Sequence, residues 1–134
     1  NKALAVFGDQ FELLNVTAAA NVSVGQSMAI TLRWRTLHPS STRYTTFVHL
    51  ATGDKPLVAG VDGEPCGGSY PTDVWHKDEV VQYDLALQLP NDLPRGNYSV
   101  MIGMYNTATG ERLTMTQTDQ REPDRALGRT ITVK

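Results

Sequence analysis

Tyr70, Asp73, Trp75 and His76 stand close together in a stretch that also holds Gly63, Pro65, Gly67, Gly68 and Pro71. Flat rings beside hydrogen-bonding side chains suit a sugar, because an aromatic face covers C–H patches while polar groups pair with hydroxyls. These four are therefore the candidate ligand-binding residues: Tyr70 and Trp75 as stacking or anchoring rings, Asp73 and His76 as polar partners. A competing structural reading makes Trp75 a plug at one end of the fold, since a long irregular segment needs apolar contact to hold it down. Carboxylates gather in and beside the same stretch, at Asp62, Glu64, Asp73, Asp78 and Glu79. A glycosidase would need two of them roughly 5–10 Å apart across a cleft, and calcium would need several oxygens converging on one loop. No DxDxDG spacing supports calcium, and solvated loop charge is the simpler reading.

The remaining chemistry is sparse. His38, His49 and His76 share no HxH or HExxH spacing, and the single cysteine, Cys66, has no CxxC partner, so neither a zinc site nor any cofactor is expected. No GxSxG elbow or phosphate-cradling glycine loop occurs. No catalytic residue is assigned, and the domain by itself is expected not to be an enzyme.

Composition narrows the partners. The 134 residues are 40% hydrophobic and 19% charged, with a net charge of -2. There is no basic excess to neutralise phosphates, which argues against nucleic acid. No apolar run approaches the roughly 20 residues that span a bilayer, so no membrane insertion is expected from this segment. One cysteine excludes an internal disulfide framework. The chain begins at Asn1 rather than Met and is read as one domain, residues 1–134, cut from a longer protein.

The elements that must position the loop are strands. Helical periodicity is nearly absent, and short alternating runs recur between turn signals. Residues 3–7, 11–16, 28–34, 44–50, 57–61, 81–89, 98–105, 112–116 and 126–133 read as strands. In 28–34, period two puts Met28, Ile30, Leu32 and Trp34 inside and the arginines outside. The run Leu93-Pro94-Arg95-Gly96-Asn97-Tyr98 delivers a tyrosine into the start of a strand, which is the sequence form of a tyrosine corner. The predicted fold is an all-β, immunoglobulin- or fibronectin-III-like antiparallel Greek-key β-sandwich of eight or nine strands. Trp34 and Tyr98 are its structural markers. The predicted core comprises Ile30, Leu32, Trp34, Val48, Leu50, Leu85, Leu87, Tyr98, Val100 and Ile102.

Several segments together carry a family resemblance: Leu32-Arg33-Trp34, Phe47-Val48-His49-Leu50, residues 68–75, Asp78-Glu79-Val80-Val81, residues 89–98, Gly103-Met104-Tyr105-Asn106 and Thr109-Gly110-Glu111-Arg112-Leu113. The pattern resembles the C-terminal extracytoplasmic β-sandwich module of bacterial protein-mannosyltransferase-like membrane glycosyltransferases, a module also attached to other surface proteins. The resemblance covers residues 25–134 and carries no catalytic residues. It implies a non-catalytic accessory domain on the outer cell surface, with carbohydrate as the candidate partner. Two readings stand beside it: a small hydrolase or metal-dependent enzyme using the long-loop carboxylates, and a purely structural spacer.

Overall fold

The computed structural model describes residues 3–117 and 122–134. Alternating apolar residues form ten strands among them: β1 (Ala5–Phe7), β2 (Phe11–Thr17), β3 (Asn21–Val22), β4 (Ser27–Thr36), β5 (Tyr44–Thr52), β6 (Lys55–Gly63), β7 (Val80–Gln88), β8 (Gly96–Asn106), β9 (Met115–Thr116) and β10 (Ala126–Val133). They build two five-stranded sheets, in the orders β7-β4-β2-β1-β9 and β3-β10-β8-β5-β6. Every pairing is antiparallel except that of β3 with β10. This is the β-sandwich that the alternation predicts, with a short parallel pair at one edge as the departure. No helix among the described residues is long and apolar enough to cross a membrane.

The inner faces follow period two. In β4, Met28, Ile30, Leu32 and Trp34 are buried, and Arg33 on the other face is exposed. Trp34 meets Phe7 edge-on, with centroids 5.4 Å apart. Its indole N–H donates to the Tyr83 hydroxyl at 2.9 Å, and that hydroxyl shares a 2.5 Å hydrogen bond with Thr46 Oγ1. Tyr83 and Trp34 belong to one sheet and Thr46 to the other, so this buried chain of polar groups ties the layers together. Burial pushes the Tyr83 phenol pKa up, because ionisation would place a charge in the apolar core. The corner is also present: Tyr98 is buried, and its hydroxyl donates to the Pro94 carbonyl at 2.5 Å.

Of the predicted core, all but Leu85 are buried. Leu85 lies on the edge strand β7, half-buried beside Gly63, whose missing side chain leaves it room. A larger difference concerns residues 112–116. The turn after β8 is closed by a Tyr105–Arg112 bridge, but the chain then leaves that sheet, and β9 pairs with β1 in the other. β10 already pairs along the side of β8 that a hairpin return would need, from Ala126 opposite Ile102 to Val133 opposite Gly96, so such a return has no edge to extend along, and the crossover buries Met115 in the shared core. Replacing Trp34 by Ala should cost about 3–5 kcal/mol through lost burial and the cavity left behind; urea unfolding measures it, and a cost under 1 kcal/mol would contradict this packing.

Candidate functional site

The long loop is packed down rather than open. Its first residues, Asp62 and Gly63, finish β6, and two short 3-10 turns follow at Pro65–Gly68 and Thr72–Val74. Thr72 stitches the loop to the start of β5, accepting the Tyr44 N–H at 2.9 Å and donating to the Thr42 carbonyl at 2.8 Å. Trp75 is 2% exposed. Its ring meets Phe11 perpendicularly at 5.6 Å, and its N–H donates to the Tyr70 carbonyl at 2.9 Å. Of the two roles expected for Trp75, the geometry gives it the anchor: neither ring face is open for stacking.

Tyr70 is half-buried against the core, and its hydroxyl donates to the Glu79 carboxylate at 2.7 Å. The same carboxylate accepts the His76 backbone N–H at 2.8 Å. That bond, then the tyrosine hydroxyl, holds Glu79 below the usual carboxylate range, while hydrogen bonding to Glu79 pushes the Tyr70 phenol up. Asp73 and His76 project as exposed side chains on the loop surface. The four candidate residues therefore share one loop, with Tyr70 and Trp75 engaged in contacts within the fold and Asp73 and His76 on its surface. The carboxylates are likewise dispersed: Asp62 accepts the Tyr105 hydroxyl, Glu64 pairs with Arg43, and Glu79 serves Tyr70 and His76. Among the described residues, no three His, Cys, Asp or Glu side chains gather as a metal site would require. Cys66 is exposed.

A concavity lies at the other end of β5, on the order of 20 Å along the strand. It is a half-open groove of about 780 Å³ between the β5–β6 hairpin tip and residues 122–127. Met101, Ala51 and Leu127 supply apolar lining, joined by Thr52, Asp54, Lys55, Ser99, Glu122 and Arg125. Arg125 is buried, and its guanidinium holds both walls. It grips Glu122 bidentately, at 2.7 and 2.6 Å, and donates to the Pro56 carbonyl at 2.7 Å. Its Nη1 also lies 3.2 Å from His49 Nδ1; since an arginine only donates, that ring nitrogen is the acceptor and is unprotonated. Gln117 closes the far side by bonding both the N–H and the carbonyl of Leu127. Sequence reading missed this site. Residues 117–125 are a polar run without period, and the one available signal was an acidic–basic pair three residues apart, Glu122 and Arg125.

Burial, then the neighbouring charges of Arg125 and Arg112, hold His49 below the usual imidazole range. The hydrogen bond from Arg125 holds Glu122 below the usual carboxylate range. Both shifts act in one direction. An unfolded chain takes up a proton at His49 near its ordinary value of about 6.5, whereas the folded one resists, so stability falls as pH drops below that value. Glu122 contributes stability above the ordinary carboxylate range and loses it as pH falls through its lowered value. The urea midpoint should therefore decline in two stages on acidification, with His49→Gln removing the first. A midpoint flat from pH 7.5 to 5 in the unaltered chain would contradict the arrangement. Trp75→Ala should lower stability by about 3 kcal/mol, as an anchor does, with a near-zero change expected only of an exposed ring.

No protein-family model matches the chain, and no curated protein matches it in sequence. Solved structures do share its fold. The C-terminal domain of wzt superposes with a TM-score of 0.65 at 11% identity, over 99% of this chain and 78% of that one. A Niemann-Pick type C2 protein from the Japanese carpenter ant superposes at 0.57 and 9% identity, over the full length of both. At such identities the likeness establishes the β-sandwich module and nothing of its chemistry.

Proposed function

We propose that this chain is a non-catalytic accessory domain that contacts glycan on the extracytoplasmic side of a larger membrane glycosyltransferase or other surface protein. The observation that carries the reading is the groove at the β5–β6 end. It combines aliphatic lining with hydroxyl, carboxylate and ammonium groups, the mixture needed to cover sugar C–H surface and pair its hydroxyls. Its volume of about 780 Å³ falls within the range of about 300–1,000 Å³ usual for small-molecule sites. The resemblance of residues 25–134 to the module at the end of mannosyltransferase-like enzymes is what suggests a membrane glycosyltransferase or surface protein as parent and the extracytoplasmic side as its place. Binding without turnover suits a domain whose carboxylates are dispersed among structural partners.

With few buried contacts and no ring platform, affinity should be modest, a Kd of roughly 0.1–1 mM. Calorimetric titration with soluble oligosaccharides checks this, with chromatography of the sugar after prolonged incubation. Saturable binding with the sugar recovered intact is the expected result. Hydrolysis that disappears in Asp73→Asn or Glu79→Gln would replace this reading with the small-hydrolase one. Absence of binding to any saccharide, charged or uncharged, would leave the domain a spacer.

A further inference from the structure

We propose that the groove between the β5–β6 hairpin tip and Arg125 selects an uncharged glycan chain, with Asp54, Lys55 and Ser99 as its specificity-determining contacts. This rests on the glycan-contacting reading above and adds to it the ligand class and the residues that choose it. Among the described residues, two carboxylates, Asp54 and Glu122, and two cations, Lys55 and Arg125, line the same space. Glu122 and Arg125 neutralise each other through their bidentate pair. Asp54 and Lys55 are adjacent and both exposed at the hairpin tip. An acidic sugar placed here meets a carboxylate for every cation, and a basic one meets the reverse. A hydroxyl can accept from Lys55 and donate to Asp54 at once, so the balanced pair rewards a neutral polyol over an ion.

Shape points the same way. The groove is half-open, so an acyl chain laid in it would keep one flank in water and press the other against four charged side chains, losing the burial that binds it. A sugar exposes hydroxyls on its outer flank at no such cost. Met101 and Leu127 are cross-strand neighbours that give the inner flank an aliphatic surface, and the half-buried Ser99 lies next to them on β8. Arg125 fixes both walls before any ligand arrives, linking Pro56 on one to Glu122 on the other. A site set in advance loses little ordering entropy on binding.

The test is a titration of the ¹⁵N-labelled chain with three uncharged tetrasaccharides (gluco-, manno- and galacto-linked), a galacturonic acid tetramer and a glucosamine tetramer. The expected result is saturable amide shifts at Ala51, Thr52, Lys55, Ser99 and Met101 with at least one uncharged tetramer, and weaker or no shifts with both charged ones. Asp54→Ala/Lys55→Ala should weaken that binding roughly five- to tenfold without moving Tm, because both residues are exposed at a turn. Ser99→Leu, which fills the groove, should weaken it further. Shifts confined to Tyr70, Asp73 and His76 would overturn the location while leaving the glycan reading standing. Tighter binding of either charged tetramer at the groove would overturn the ligand class alone. Silence toward all five sugars would overturn both this proposal and the reading on which it rests.

Discussion

Strand β5 has no solvent face: from Tyr44 to Leu50 every residue is buried. Val48 and Leu50 point into the sandwich, and Phe47 and His49 point the other way, where an ordinary sandwich strand would meet water. Something must cover that second face, and the covering elements create most of what is particular to this molecule. Phe47 lies across Gly103, where a Cβ would overlap its ring. Arg112 sits over the same ring at 4.5 Å, adding a cation–π contact to the cover. Arg125 closes the other half above His49.

Covering a sheet with polar residues carries an obligation, because buried donors and charges need partners. Arg125 shows how it is met: a carboxylate, a backbone carbonyl and a neutral imidazole take its N–H groups. Since those partners come from β5, the start of β6 and the segment before β10, satisfying one guanidinium also sets the spacing between two surface walls. The groove is the space left between them. Its shape and the neutrality of His49 are thus consequences of the same buried cation, which links stability toward acid to the geometry of the surface.

At the other end of β5 the same economy produces the opposite outcome. The long loop spends its aromatic rings and hydroxyls on itself: Trp75 on Phe11, Tyr70 on Glu79, Thr72 on the backbone of β5. A loop held this firmly is a cap on the sandwich, with Asp73 and His76 left on its rim.

Much of the architecture was legible in the residues. Period-two alternation in β4, β7 and β8 fixes which side chains face inward, because a strand offers only two faces and one must be apolar. The Pro-x-Gly-x-Tyr run announces its corner because the bond from Tyr98 to Pro94 spans only four residues. Local patterns of this kind need no knowledge of the rest of the chain. Whether Trp75 stacks a ligand or plugs the fold is different in kind, since it depends on Phe11, more than sixty positions away. The crossing of β9 to the other sheet is likewise non-local, because β10, later in the chain, takes the side of β8 that a hairpin return would need. The groove is the extreme case. Arg125 reads as one more charge in a polar run until folding brings His49 and Pro56 to it across 76 and 69 residues. Alternation decided the layers; only the tertiary structure decided which polar groups became buried, and therefore which surface was left to bind.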